Sequence, residues 1–375
     1  MRTRSAACIL LCLTAACTGR LVDNNPIVPL ERDASADALS DAGVDALPDI
    51  TLVDARDVGG ESDAGPDTSA PQAECATIDA FVSGAVTCRD ESARCSVTLP
   101  STSTCDETCA AMSMDCLRVY QETSACLPAL EQGALGCDEA PTDTGFCQCG
   151  DAGAKYEPWV VVTIGDSTMS NRGTPGESGW GDEFPAFGVR AEDVINEGSS
   201  GASSLDFETR SNWPRAEALL GPNVFLLIQF GHNDGSDDPN RHTEPGTEPG
   251  FEGTYQDRLA FYVSAARAAG ATPIIATSMG QMVFDAEGVA RDTGVTRYAN
   301  SATVYAEREG LMLIDGHRVS RAEFTRLGPE ETIAQYSLDE VTHFTPAGAL
   351  RLAELMARAG CIESELYCAQ FELDD

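Results

Sequence analysis

Five short runs with strand character, separated by helical or irregular stretches, most limit how this chain can fold. They lie at residues 160–164, 192–196, 224–230, 272–277 and 311–315. The third run, Val-Phe-Leu-Leu-Ile-Gln-Phe, is apolar nearly throughout, which is typical of a strand buried on both faces of a parallel sheet. Helical patterns alternate with these strands at residues 255–269, 296–309 and 345–359. The pattern predicts an α/β fold over residues 155–375, with five parallel strands and helices on both faces of the sheet.

Polar residues follow the first three strands at the point where each strand ends. Gly165-Asp166-Ser167 follows the first, a small-residue loop at 196–203 follows the second, and Gly231-His232-Asn233-Asp234 follows the third. His343 lies in the loop before the last helix. In a doubly wound sheet these segments converge on one crevice, where they provide a nucleophile, a base and oxyanion donors for acyl transfer. Taken alone, Ser167 is equally consistent with a residue that only caps a helix.

Four of these blocks resemble the motifs of a known superfamily. Gly165-Asp166-Ser167, Gly201, Gly231-His232-Asn233-Asp234 and an acid followed by His343 are similar, in order and separation, to the four blocks of the SGNH or GDSL hydrolases. Within that superfamily, the chain most resembles rhamnogalacturonan acetylesterases, at residues 165–169, 231–235, 270–274 and 342–349. The resemblance implies a three-layer α/β/α sandwich of the flavodoxin-like type and the removal of acetyl groups from plant-type polysaccharide.

The resemblance also implies roles for individual residues. Ser167 is the expected nucleophile and His343 the expected general base. The backbone N–H groups of Ser167 and Gly201, together with the Asn233 side-chain amide, are the expected oxyanion hole.

The acid of the triad is less clear from the sequence. The family pattern has Asp three residues before the His, whereas this chain has Glu340 there and Asp339 one residue further back. Because the role needs only a carboxylate that accepts from the imidazole N–H, we favour Glu340 and keep Asp339 as the alternative.

Two other functions stay open. One is a lipase, thioesterase or aryl esterase of the same fold, and the other is a surface glycan-binding protein whose hydrolase domain is inactive. A wide apolar acyl slot would favour the first, and failure of Ser167, Asn233 and His343 to converge would favour the second. The sequence contains no metal-ligand or nucleotide-binding motif, so we expect neither a metal nor a cofactor.

The charge of the chain excludes one class of partner. Asp and Glu number 60 against 24 Lys and Arg, a formal net charge of −36. Nucleic-acid binding requires clustered Lys and Arg, so a nucleic-acid partner is not expected. We expect a monomer whose substrate is an acetylated polysaccharide.

The N-terminus predicts export. Residues 1–16 combine Arg2 and Arg4 with a short apolar run, as in a signal peptide. The run ends at Cys17 and resembles a bacterial lipoprotein signal, which implies lipidation of Cys17 and a membrane anchor facing the periplasm or the exterior. Thr14 replaces the usual Leu, so ordinary cleavage and secretion is the alternative. Residues 17–74 are acidic and lack apolar periodicity, which predicts a disordered linker.

Ten cysteines lie in a proposed module at residues 75–150. A segment this short with few aromatic residues builds little core, so we expect disulfides, with zinc as the competing interpretation. Residues 108–120 have helical spacing and are expected to form one short helix. Cys361 and Cys368 are expected to form a local bridge near the C-terminus. The role of the module, whether glycan-binding or structural, cannot be read from these residues.

Overall fold

The computed structural model describes residues 83–373, except for 84, 92–93, 125, 152–157, 172, 247–253 and 339–340. The predicted signal peptide, Cys17, the acidic linker and Cys75 lie outside the described residues, as do Asp339 and Glu340. Among the helices that are described, none has the length and apolar character needed to cross a membrane.

The cysteine-rich region forms an antiparallel sheet that the sequence did not predict. Its strands run in the order β1-β2-β6-β3-β4, and β5 also pairs with β3. The elements are β1 (Val86–Glu91), β2 (Arg94–Pro100), α1 (Cys105–Ala111), β3 (Asp115–Ser124), β4 (Leu127–Pro128), β5 (Ala134–Leu135) and β6 (Thr144–Gly150).

The predicted helix at residues 108–120 is wrong. Thr104 caps α1 through a capping box with Glu107, so the helix starts earlier and ends at Ala111. Residues from Asp115 onward are a strand instead, because Val119 and Tyr120 pair with β6 and are buried there. Tertiary pairing outweighs the helical spacing of the cysteines.

The prediction of disulfides is confirmed. Among the described residues, the bridges are Cys88–Cys126, Cys105–Cys147, Cys109–Cys149, Cys116–Cys137 and Cys361–Cys368. The four sulfurs of the second and third bridges lie within 4.8 Å of one another, a spacing that would also suit a metal, but here they are paired as disulfides.

The C-terminal region contains the predicted five-stranded parallel sheet. Its order is β11-β10-β9-β7-β8, and β7 pairs in register with both β8 and β9. The strands are β7 (Val160–Gly165), β8 (Val194–Asn196), β9 (Val224–Gln229), β10 (Thr272–Ala276) and β11 (Met312–Ile314). Strand β8 is shorter than predicted because residues Ala191–Asp193 form a 3-10 turn.

Helices cover this sheet, and one long helix was not predicted. The helices are α2 (Trp180–Glu183), α3 (Asn212–Glu217), α4 (Thr254–Ala269), α5 (Thr296–Glu309), α6 (Gly316–Tyr336), α7 (Pro346–Glu363) and α8 (Glu365–Cys368). The unpredicted helix, α6, is interrupted at Gly328, whose φ of 76° is non-helical and precedes Pro329.

Alternate residues of the central strand enter two separate cores. Phe225 and Leu227 pack in one core with side chains of α7, such as Leu352. Leu226 and Ile228 pack in the other with side chains of α4 and α5. Helices therefore cover both faces, which confirms the three-layer α/β/α sandwich.

The cysteine-rich sheet packs directly on this sandwich. Tyr120, Leu130 and Phe146 belong to the same buried cluster as α7. The Arg118 guanidinium donates to the Cys361 carbonyl oxygen at 2.9 Å and pairs with Glu365 at 2.6 Å. The two regions share one core, so the cysteine-rich sheet supports the C-terminal helices.

Candidate active site

Ser167 lies just beyond the carboxyl end of β7. Gly165 precedes it, and a Cβ atom at Gly165 would overlap the Met169 sulfur and the Gln229 carbonyl oxygen, so only glycine fits between these two segments. Ser167 is buried, with 6% of its surface exposed. The close approach of β7 to β9 brings the serine next to the loop that follows β9.

Ser167 and His343 are in contact although 176 positions separate them. Ser167 Oγ lies 2.8 Å from His343 Nε2. The loop that carries His343 is held on its C-terminal side, where Thr345 caps α7 by accepting from the Gly348 N–H. Phe344 is fixed as well, because it bridges to both Ser178 and Ser337. The residues predicted to be nucleophile and base are therefore brought together.

Asp166 ties this turn to the third block. Its carboxylate accepts from the Thr168 N–H at 2.9 Å, from the Thr168 hydroxyl at 2.7 Å and from the His232 N–H at 3.4 Å. Gln229 donates to the Thr168 hydroxyl at 2.8 Å and accepts from the Trp180 indole N–H at 2.8 Å. These buried hydrogen bonds hold the serine turn rigidly against β9.

The second block is held by a residue that the sequence analysis did not identify, Arg210. Its guanidinium donates to the carbonyl oxygens of Ser200 at 2.8 Å and Gly201 at 2.9 Å, and pairs with Asp206 at 2.6 Å. The Ser200 C=O and the Gly201 N–H belong to the same trans peptide and point in opposite directions. Because Arg210 donates to this C=O, the Gly201 N–H points away from Arg210. The Ser199 N–H donates to the Gly165 carbonyl at 2.9 Å, which places this loop beside the serine turn.

Two backbone donors at this place have no acceptor. Among the described residues, neither the Ser167 N–H nor the Gly201 N–H makes a hydrogen bond, although most buried backbone groups are paired. The Asn233 amide donates one hydrogen to the Ala202 carbonyl at 2.9 Å, which leaves its second N–H for a ligand. The three predicted oxyanion donors thus have N–H groups available.

The carboxyl group of Asp234, the last residue of the third block, is fully buried. Desolvation raises its pKa to about 7, although hydrogen bonds from the Ser204 hydroxyl, the Thr243 hydroxyl and the Ser204 N–H oppose the shift. Its carboxyl group accepts hydrogen bonds from the Ser204 and Thr243 hydroxyls, and so connects the second block to the loop after β9. Its place is structural, between the segments that carry Gly201 and Asn233.

The remaining histidines have local partners. His317 is buried, with Nδ1 near the Ser278 carbonyl oxygen at 3.1 Å and Nε2 near the Thr296 hydroxyl at 3.0 Å, and burial lowers its pKa. His232 Nε2 lies 3.0 Å from the Met279 carbonyl oxygen. His242 is exposed and pairs with Glu244. The acid partner of His343 stays a prediction, since both candidates lie outside the described residues.

A groove of about 410 Å³ adjoins Asn233. Its wall includes His232, Asn233, Ser236, Gln281, Arg297 and Tyr298. Gln281 donates to the hydroxyl of Thr342, the residue before His343, at 3.0 Å. A larger cavity of about 740 Å³ lies over α6. Neither lining contains Ser167 or His343, but the smaller groove is lined by Asn233 and by Gln281, which contacts the residue before His343. We therefore take the smaller groove as the approach to the site.

Comparison with known proteins agrees with this fold. The model of the GDSL-like lipase/acylhydrolase family matches residues 163–351. The chain is 31% identical over 204 residues to a probable rhamnogalacturonan acetylesterase, YesY, of Bacillus subtilis, across 53% of this chain and 90% of that protein. It is 28% identical over 217 residues to the rhamnogalacturonan acetylesterase RhgT of the same organism, across 54% and 89%. An acetylxylan esterase structure from Geobacillus stearothermophilus aligns at 19% identity and a TM-score of 0.39, over 55% of this chain and 95% of that one.

The α/β/α sandwich and these matches define the protein as a carboxylic ester hydrolase. The chain belongs to the GDSL-like lipase/acylhydrolase family, whose members include the SGNH hydrolases that the sequence blocks resemble.

Proposed function

We propose that the protein is an exported serine esterase that removes O-acetyl groups from pectin-type polysaccharide. The observation that carries the proposal is the 2.8 Å distance between Ser167 Oγ and His343 Nε2. The unpaired N–H groups of Ser167 and Gly201 support it further, since donors without acceptors are what a developing oxyanion requires. The same contact argues against an inactive glycan-binding protein.

The proposed reaction is an acyl transfer in two steps. His343 Nε2 accepts the hydroxyl proton while Ser167 Oγ attacks the acetyl carbonyl carbon, and the oxyanion is bound by Ser167, Gly201 and Asn233. The bond between the acetyl carbon and the sugar oxygen then breaks as His343 gives the proton to that oxygen, which leaves as a hydroxyl group and leaves an acetyl-serine. A water molecule, deprotonated by His343, hydrolyses this ester and releases acetate. A carboxylate on the imidazole Nδ1, from Glu340 or Asp339, would orient the ring.

A carbohydrate suits the approach to the site better than a lipid does. The groove next to Asn233 is lined by polar side chains such as His232, Gln281 and Arg297, which favour sugar hydroxyl groups over an apolar chain. Curated relatives that are named rhamnogalacturonan acetylesterases point to the same substrate class.

Export is the cellular part of the proposal. Five disulfides among the described residues are typical of an oxidising compartment. We propose that residues 1–16 are cleaved and that Cys17 carries a lipid anchor, so that the acidic linker holds the enzyme away from a membrane. Radiolabelled palmitate incorporated by the bacterial host, and lost in Cys17→Ala, would support the anchor; secretion of an unlabelled chain would contradict it.

The activity is tested by acetate release from acetylated pectins and by hydrolysis of 4-nitrophenyl esters of rising chain length. The disulfide-intact chain from residue 18 is compared with its Ser167→Ala form. We expect acetate release from pectin, preference for the acetyl ester, and loss of both in Ser167→Ala. Preference for long esters would establish a lipase instead, and inactivity on every ester would contradict an esterase.

A further inference from the structure

The groove beside Asn233 differs in charge from the rest of the molecule. The whole chain has 60 acidic and 24 basic residues, yet the described residues that line the groove include no Asp or Glu. Among these described residues, Arg297 is the one fully charged side chain. The described part of the groove wall therefore lacks the negative side chains that are common elsewhere in the protein.

Arg297 also differs from most arginines of the described chain. Arg215 pairs with Glu197 at 2.6 Å and Arg321 pairs with Asp292 at 2.7 Å, and many others have similar partners. No carboxylate of the described residues pairs with Arg297, whose guanidinium lies 5.9 Å from the centre of the Tyr298 ring. Its N–H donors are available to a ligand.

Helix stability does not explain this arginine. Arg297 is the second residue of α5, and the first turn of that helix has no acidic residue. A positive side chain at a helix N-terminus opposes the helix dipole and is mildly destabilising. Neither an ion pair with a described residue nor the helix dipole accounts for an arginine at this position. This favours a role for Arg297 in binding.

The groove that Arg297 lines borders the proposed site at two of its wall residues. Asn233, a proposed oxyanion donor, forms one part of the wall. Gln281 forms another part, and its bond to Thr342 places it next to His343. Sugars next to one whose acetyl group is at Ser167 would extend along this wall towards Arg297.

We propose that Arg297 binds the carboxylate of an acidic sugar next to the acetylated residue, so that the enzyme selects uronate-containing polysaccharide over neutral acetylated glycans. A guanidinium binds a planar carboxylate through two parallel hydrogen bonds. This inference rests on the proposed function, because it assigns a subsite to the same reaction. It adds the reason why an acidic protein can hold an acidic polymer at its active site.

The kinetic test compares Arg297→Gln with the unchanged protein on acetylated rhamnogalacturonan and on the same polymer after reduction of its carboxyl groups. We expect KM on the acidic polymer to rise about tenfold, equivalent to about 1.4 kcal/mol, and the preference for acidic over reduced polymer to fall by the same factor. Added salt should weaken that preference in the unchanged protein. An equal KM rise on both polymers would contradict the proposal.

Arg291→Gln is the matched control. Arg291 is also exposed and has no ion pair among the described residues, but it does not line the groove. We expect Arg291→Gln to keep the full preference for the acidic polymer. A loss as large as that of Arg297→Gln would show a general charge effect and overturn the assignment.

Binding separates this inference from the proposed function. In a Ser167→Ala background, calorimetry measures the affinity of unesterified oligogalacturonide with and without Arg297→Gln. We expect an affinity about tenfold weaker without Arg297, even if acetate release fails. Equal affinities would refute the subsite, whereas binding without any acetate release by the unmutated protein would refute only the proposed function.

Discussion

Asn233 is the residue whose side chain connects the third block to the second. It donates one N–H to the Ala202 carbonyl oxygen, and its second N–H is the proposed oxyanion donor. Asn233→Ala should lower kcat about 10²–10³-fold, the usual cost of one oxyanion donor, with a small change in KM. Asn240→Ala, an exposed side chain of the following loop, is the control and should keep kcat. A kcat within a factor of three of the unchanged enzyme would exclude Asn233 from the oxyanion hole.

Asp234 gives a pH dependence of stability. Its pKa in the folded state, about 7, lies above the ordinary value of 3.8. The stabilising contribution is complete below pH 3.8 and is lost as pH rises towards 7, an effect on the order of a few kcal/mol. We expect Asp234→Asn, which cannot titrate, to flatten this decline in urea unfolding measured from pH 4 to 8. An unchanged slope would contradict the burial argument.

Residues that act through backbone geometry are the hardest to find from sequence. Short sequence blocks at strand ends or before a helix contain Gly165, Ser167, Asn233 and His343. The order of the elements therefore predicts that these residues lie close together. Arg210 lies outside these blocks, and its only local sign is the spacing of four from Asp206. Its contacts to two carbonyl oxygens depend on how the loop folds.

Among the elements, the loop between β8 and α3 gives the next prediction. Arg210→Gln removes the donors that fix the Ser200 and Gly201 carbonyls, so the Gly201 N–H loses its direction. We expect kcat per titrated active site to fall at least tenfold while KM stays within about twofold, since the donor acts mainly in the transition state.

Arg215→Gln is the control for that prediction. Arg215 pairs with Glu197 near the same loop but makes no contact with Gly201. It should keep kcat, because exposed ion pairs contribute little. If Arg210→Gln lowers only the melting temperature and the active fraction, Arg210 serves folding alone.

The strands were predictable where burial on both faces makes them apolar throughout, as in β9. Helix α6 was not, because its buried positions include Ser320 and Glu323, which break the apolar pattern. Ser320 accepts from the Gly280 N–H at 2.8 Å, and Glu323 accepts from the Tyr336 hydroxyl at 2.9 Å. Ser320 and Glu323 can be buried in α6 because Gly280 and Tyr336, which lie more than one helical turn away, form hydrogen bonds with them. A local sequence pattern does not reveal such partners.

At the scale of the whole molecule, the cysteine-rich sheet and the hydrolase sandwich are energetically coupled. Tyr120, Leu130 and Phe146 fill part of the sandwich core, and each large side chain contributes about 1.5–3 kcal/mol by burial. A chain that begins at Lys155 should therefore lose several kcal/mol of unfolding free energy relative to one that begins at Cys75, as measured by urea unfolding. Equal stability of the two chains would show that the regions are independent.

The ten cysteines of the module indicated bridges but could not assign partners, because two of the bridges depend on how α1 packs on β6. The contacts that couple the cysteine-rich sheet to the hydrolase sandwich could not be predicted from the sequence either. Gln148 donates to the Ile362 carbonyl at 3.0 Å, a contact between residues 214 positions apart that no local pattern predicts.

The most direct test of the account is covalent labelling of the intact protein with a fluorophosphonate, followed by peptide mass spectrometry. We expect one adduct per chain, on Ser167, with labelling strongly slowed in His343→Ala because the imidazole no longer accepts the serine proton. Labelling of a different serine, or none in a folded and disulfide-intact sample, would contradict the assignment of Ser167 as the nucleophile.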